Sequence, residues 1–521
     1  MDADVLVIGS GFGGSVSALR LAEKGHSVVV LERGRRWLPR DFPETNWSLR
    51  RYLWAPRLGL HGIQELTFLR HALVLHGCGV GGGSLVYANV LVEPDAELFR
   101  RPEWPGGDWP ERLAPAFDRA RRMLGATPCP GIGRTDALLR GVLSGLRGRD
   151  TLRVHDVGVF FGEPGRTVPD PYFGGEGPER TGCTRCGACM VGCRVGAKNT
   201  LDRNYLWLAE RRGARVVPET EALAIRPVEG GWEVRTRRSL GRVRPRRTWR
   251  ARRVVVAGGV LGSVGLLQRS RARGWLPGIS PQLGRYVRTN SEAILAADAG
   301  DPCVNLCDHV AITSGACADE RTHVEMVRFN EGSDALFWLT APLAPAEAAP
   351  GRLARVLGML RRPGLLARAL RPFGRARRTG ILLAMQAGEG HLALGLRRRW
   401  WGAERIVSRL PDGEAPRVRR LPVAEEVARR LAAALGGAAW TTWPDALGDA
   451  PATAHVLGGC RMAATPAEGV VDARGEAFGH PGLYVVDGSV IPVNPGVNPS
   501  LTITAVAEAI MERFPSAAGE G

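Results

Sequence analysis

The chain has 521 residues, 44% of them hydrophobic and 23% charged, which excludes disorder or a fibrous repeat as its main state and predicts more than one domain. Its 70 Lys and Arg against 52 Asp and Glu leave a net charge of +18, but Lys occurs only at Lys24 and Lys198 and the Arg are spread along the chain. A GC-rich coding sequence leaves that bias on any protein, and no nucleic-acid motif accompanies it, so nucleic acid is not expected as a partner. No apolar run of about 18 residues is present, so no membrane-spanning helix is expected. The start MDADVLVIGSGFGG lacks the basic, apolar and cleavage segments of an export signal, which predicts a cytoplasmic protein.

In chain order, residues 4–9 (DVLVIG) read as a buried strand, 15–24 as a helix and 26–31 (HSVVVL) as a second strand ending at Glu32. With Gly9, Gly11 and Gly14 between them this is the βαβ dinucleotide fingerprint in its required context. Gly9 permits the tight turn, Gly11 lets a pyrophosphate approach the backbone, and Gly14 lets helix and strand pack closely. Glu32 is placed to accept from ribose hydroxyls. This motif alone does not separate NAD from FAD. A second glycine-rich turn, GCGVGGGS at 77–84, runs into LVYANV. A flavin needs backbone close to its flat ring, which selects FAD and adds Gly82, Gly83, Ser84 and Asn89 as contacts. Residues 214–225 read as two short strands carrying Ala222, and the Arg-rich stretch 235–253 reads as a hairpin. RVVVAGGVLG at 253–262 reads as a strand, ending at Gly258, followed by a helix. GLYVVDG at 482–488 is another strand, ending at Asp487 and Gly488. A last helix should begin at Pro499, its positive end beside Asn498.

The order of these pieces, with HVLGGC at 455–460 and DGSVIPVNPGVNPSLTITAVAE at 487–508, resembles the glucose–methanol–choline (GMC) flavoprotein oxidoreductases, most closely their cholesterol-oxidase-like branch. The resemblance implies an α/β fold: a doubly wound FAD-binding domain from residues 1–120, 180–300 and 440–521, and an antiparallel-sheet substrate domain from 121–179 and 301–439. FWLTAPL at 337–343 and ILLAMQ at 381–386 are expected as strands of that sheet, and Trp400 and Trp401 either edge its pocket or are a pair of surface-loop aromatics. It also implies that His455 takes the hydroxyl proton of an alcohol as hydride leaves for the flavin, that Asn498 orients the substrate oxygen, and that Asp487 and Gly488 touch the pyrophosphate or ribityl chain. Val456 stands where the family block has Pro. The substrate expected is a sterol or another bulky apolar alcohol. Some relatives also isomerise a steroid, which needs a carboxylate; Glu325 and Glu389 lie in the right half of the chain.

Cys183, Cys186, Cys189 and Cys193 have the spacing of bacterial ferredoxin loops, but Arg194 replaces the customary Pro. Three readings stay open for them: an iron–sulfur cluster, zinc, or reduced structural thiols. A cluster would make the protein a dehydrogenase passing electrons to an acceptor protein; without one, O2 can reoxidise the flavin. A non-catalytic flavin module or an NAD-linked enzyme would be the competing classes. Residues 351–380 carry nine Arg and no acid among apolar residues, a pattern that fits either a pair of surface helices with solvated Arg or peripheral contact with an anionic membrane.

Overall fold

The strand Ala3–Ile8 is buried almost throughout, as an unbroken apolar run in a covered parallel sheet should be. It pairs in parallel with Val28–Leu31 on one side and with the end of Arg246–Val256 on the other. Arg215–Val217 extends the sheet beyond Val28–Leu31, and Leu483–Val485 returns from the far end of the chain to pair in parallel with Arg246–Val256. In this computed structural model the described residues are 1–344, 352–388, 390–398, 400, 404–411 and 420–520, with backbone alone at 352, 519 and 520.

Arg246–Val256 serves two pairings. Its first half closes an antiparallel meander with Gly231–Arg238 and Thr220–Val228, and its second half is the centre of the parallel sheet. Alternation explains the Arg-rich hairpin: Trp249 and Ala251 are buried while Arg250 and Arg252, alternating with them, face solvent. The helices Phe12–Glu23, Tyr205–Arg211 and Ser500–Glu512 pack together against the parallel strands.

A second, antiparallel sheet runs in the order Thr340–Pro342, Ala439–Thr442, Ala293–Asp298, Thr379–Gln386, Thr322–Val327, Ser314–Cys317, Arg153–Val154. The helices Arg134–Arg147 and Pro422–Ala434 cover one face with a core that includes Leu139, Val324, Leu382 and Leu431. The other face, with Ile294, Val327, Ile381 and Leu383, looks into a large cavity between the two sheets. ILLAMQ forms a strand as expected, but in FWLTAPL only Thr340–Pro342 does. Phe337 and Leu339 lie in a short 3-10 turn, Ala335–Leu339, which brings both to the cavity wall. Among the described residues no helix is long and apolar enough to cross a membrane.

Candidate active site

One cavity of about 900 Å3 runs from the N-terminal glycine turn to the strands of the second sheet. Its first end is shaped by close packing. A Cβ at Gly14 would sit 2.0 Å from the Gly9 carbonyl oxygen, and one at Gly13 would sit 1.8 Å from that of Val486. Gly13, outside the expected set, is therefore as constrained as Gly14. A Cβ on Gly11 would meet nothing within 4 Å on its own side, whereas one on Gly82 would lie 2.6 Å from the Gly11 Cα. The two glycine turns thus pass against each other and leave open backbone along the cavity, a shape that fits a pyrophosphate with a flat ring beyond it.

Gly9, Gly11, Glu32, Gly82, Gly83, Ala222, Gly258, Asp487 and Gly488 all line this cavity. Glu32 accepts from Ser10 N at 3.1 Å, Ser10 Oγ at 2.7 Å and Gly34 N at 2.8 Å, which leaves one acceptor direction for a ribose hydroxyl. Three residues of the expected set are engaged differently from the rest. Ser84 is not on the wall: its hydroxyl donates to Gly81 O and accepts from Leu201 N, tying the turn to the next segment. Asn89, buried with φ 72°, also stands off the wall, which its neighbours Ala88 and Val90 form. Asp487 reaches the wall, but Gly259 N, Ser263 Oγ, Ser489 N and Ser489 Oγ all donate to it. Those four bonds fill a carboxylate, so Asp487 shapes the turn more than it offers itself to a cofactor.

His455 and Asn498 both line the same cavity, although they come from separate segments. His455 Nδ1 lies 3.1 Å from Glu292 Oε2, which also accepts from Thr453 Oγ1 and Ala454 N. Burial opposes a charged imidazole there, but the carboxylate of Glu292 outweighs it and raises the pKa of His455. With Nδ1 turned to Glu292, Nε2 is the ring nitrogen left for the cavity. Asn498 donates from Nδ2 to Glu325 Oε2 at 3.1 Å, and its buried Oδ1 accepts from no group among the described residues. The loop before it is clamped by Asn290, which accepts from Gly496 N and donates to Val497 O. The last helix spans Ser500–Glu512, so Pro499 is the cap residue and not the first helical one. Its N-terminus, carrying about half a positive charge, opens on the cavity through Pro499 and Ser500.

Glu292 and Glu325 went unread in the sequence as partners of His455 and Asn498. Glu325, on Thr322–Val327, does not line the cavity; its other oxygen faces His155 and His323 at 3.2 and 3.0 Å. Burial alone would raise its pKa, but the two imidazoles hold it well below the usual carboxylate range, and His323 is pushed up to about 9, against its own burial, by Cys317 and Glu325. Glu389, Gly351 and Trp401 lie outside the described residues. His480 sits in the turn before Leu483–Val485, against Trp232.

The four clustered cysteines flank a cavity of only about 20 Å3, room for one water and not for an iron–sulfur cubane. Among the described residues no three of their sulfurs come within 4.8 Å of one another, whereas thiolates on a tetrahedral zinc lie ~3.8 Å apart. Cys183, Cys189 and Cys193 pack on an apolar cluster with Val159 and Val310, and the buried Lys198 donates to the carbonyls of Cys189, Leu85 and Tyr87. The loop thereby braces the segment beside the cavity. The Arg of 351–380 are not all solvated either. Arg355 pairs with Asp449, Arg368 with Asp298, and Arg375 is buried 4.1 Å over the Trp440 ring. Arg361, Arg362 and Arg371 remain exposed, together with Leu353, Leu357, Leu360, Leu370 and Phe373.

The paired sheets and the glycine cradle are the frame of a flavin-dependent oxidoreductase. Profiles described as GMC oxidoreductase match residues 178–284 and 399–507, and one described as an FAD binding domain matches 4–37. Cholesterol oxidase of Mycobacterium tuberculosis is 44% identical over 99% of this chain and 91% of its own, and that of Acinetobacter baumannii is 40% identical over 99% and 95%. Long-chain-alcohol oxidase FAO1 of Arabidopsis thaliana is 26% identical over 99% of this chain and 67% of its own. Among solved structures, pyridoxine 4-oxidase from "Mesorbium loti" superposes with a TM-score of 0.61 at 15% identity, covering 98% of this chain and 99% of that one. The chain belongs to the GMC oxidoreductase family and is an FAD-dependent enzyme.

Proposed function

We propose that this enzyme oxidises the CH–OH group of a bulky apolar alcohol, of the sterol class, with dioxygen as final acceptor. The observation that carries this is the composition of the cavity's far end. His455 and Asn498 share the cavity with Ile312, Val327, Phe329, Phe337, Ile381 and Leu383, a mostly apolar wall with Thr340, Thr441 and Thr442 among it. The names of the cholesterol oxidases and long-chain-alcohol oxidases similar to this chain agree with that reading.

In this reading His455 Nε2 takes the hydroxyl proton, and Glu292 holds the ring through Nδ1 and stabilises the imidazolium that forms. Asn498, its Nδ2 committed to Glu325, uses Oδ1 to orient the substrate oxygen. Bound FAD supplies the hydride acceptor. The helix N-terminus beyond Asn498 contributes fixed positive potential where negative charge develops. Glu325 acts as the support of Asn498 and not as an isomerisation base, because it stands behind the wall with both oxygens engaged.

The run Cys183–Cys193 serves as reduced structural thiols in this proposal, so no iron–sulfur cluster or acceptor protein takes part. The exposed Leu and Arg of 353–373 are read as a peripheral contact with an anionic membrane. Trp338, which donates to Leu370 O, joins that patch to Phe337 and Leu339 on the cavity wall. A panel of cholesterol, other 3-hydroxysterols, long-chain alcohols, glucose and choline tests the substrate class. One peroxide per sterol consumed, with glucose and choline inert, is expected. Turnover of the small polar alcohols alone would refute it.

A further inference from the structure

Behind Asn498 lies a cluster of which the proposed alcohol chemistry uses only the Glu325 oxygen that holds the amide. His155 follows the strand Arg153–Val154, while His323 and Glu325 sit two residues apart on one face of Thr322–Val327. One donor atom from each of the three lies within 4.8 Å of the others. The Glu325 oxygen Oε1 is 3.2 Å from His155 Nε2 and 3.0 Å from His323 Nε2. Ligands held at about 2.0–2.1 Å by one ion are about 2.9–3.4 Å apart, between the octahedral and tetrahedral limits.

Three further observations point to a guest atom. His155 is 92% buried by its 8% exposure, and among the described residues its Nε2 meets only Glu325 Oε1, at 3.2 Å and off the line of a hydrogen bond. Both imidazole nitrogens converge over a glycine: a Cβ at Gly315 would sit 2.4 Å from His155 Nε2 and 2.5 Å from one of His323. The remaining oxygen of Glu325 is held by Asn498 Nδ2 at 3.1 Å, which fixes the carboxylate so that Oε1 faces the two rings. Two imidazoles and one carboxylate are a donor set for borderline divalent ions and leave a coordination position open.

We propose that His155, His323 and Glu325 bind one divalent transition ion of the zinc or cobalt class. The ion ties the start of the loop after Arg153–Val154 to the neighbouring strands and, through Glu325, to the amide of Asn498.

The test uses FAD-loaded enzyme stripped with a chelator, incubated with zinc chloride and dialysed, then assayed for metal per flavin. One zinc per chain is expected, with an X-ray absorption first shell of nitrogen and oxygen only and a rise in Tm on loading. His155→Ala and His323→Ala should weaken zinc binding by about 100-fold or more, judged against the cost of losing even an outer-shell partner. Gly315→Ala should also lose zinc, although it removes no ligand. Flavin content shows whether each variant folds; where one does not, the absorption spectrum of the parent decides alone. No zinc retained by the parent, a sulfur shell indicating the cysteines, or unchanged stoichiometry in folded His155→Ala and His323→Ala would overturn the proposal.

Discussion

Glu292 governs the behaviour of His455 in two ways. It raises the imidazole pKa against burial, so the neutral ring needed as a base appears only at higher pH than an isolated histidine would allow. Glu292→Gln is therefore expected to shift the acid limb of the kcat/KM profile to lower pH, while also lowering kcat through a poorly held ring. In stability the sign is opposite. A raised folded pKa stabilises the fold fully below the unfolded value of about 6.5 and loses that contribution as pH climbs through the folded value. The Tm gap between the parent and Glu292→Gln should narrow as pH rises. His455→Asn should keep its flavin and lose about 10^2–10^4 in the rate of flavin reduction, the usual worth of a general base. At this scale the glycines and Glu32 were legible because strand, turn and helix that give them meaning are contiguous. Glu292 and Glu325 were not, because their partners lie 163 and 173 positions away and sequence patterns carry no such distance.

The two glycine turns and the loop before the last helix show how elements place these residues. Gly13→Ala pushes a methyl to within 1.8 Å of the Val486 oxygen, so the helix Phe12–Glu23 must shift off the Leu483–Val485 return. Apo protein with little bound flavin is the expected product on purification. Asn290→Ala removes the two side-chain hydrogen bonds that join Asn290 to Gly496 and Val497 and keeps the one its backbone N–H donates to Asn494 Oδ1. At about 1 kcal/mol for each side-chain bond, a loss of about 2 kcal/mol is expected from chemical unfolding, with a larger fall in kcat because Asn498 is set loose. The parallel strands and final helix were readable from apolar runs. Ser84 was misread for a physical reason: a hydroxyl in a turn satisfies its own backbone before any ligand. FWLTAPL, an apolar run of strand length, became half a 3-10 turn because Phe337 and Leu339 are held at the cavity wall.

For the whole molecule, the cavity between the sheets joins a dinucleotide cradle to an apolar chamber, and the Cys loop and the 353–373 surface belong to its frame. Colorimetric iron and sulfide on anaerobically purified enzyme should read zero per flavin; stoichiometric amounts would restore the cluster. The triple variant Leu357→Glu, Leu360→Glu, Phe373→Glu should no longer sediment with anionic liposomes while turning over detergent-solubilised sterol at the parent rate. The division into two sheets followed from the family resemblance, whereas the inward pairing of Arg355, Arg368 and Arg375 was not legible, since a paired guanidinium looks like a solvated one in sequence. The central claim is that the imidazole and carboxamide at one end of this cavity act on an apolar alcohol. Anaerobic mixing of the flavin-loaded enzyme with a 3-hydroxysterol, followed at the oxidised-flavin band, measures it most directly. The account predicts rapid bleaching in the parent and a far slower loss in His455→Asn. A parent that stays yellow with every sterol and long-chain alcohol, or a variant that bleaches as fast as the parent, would contradict it.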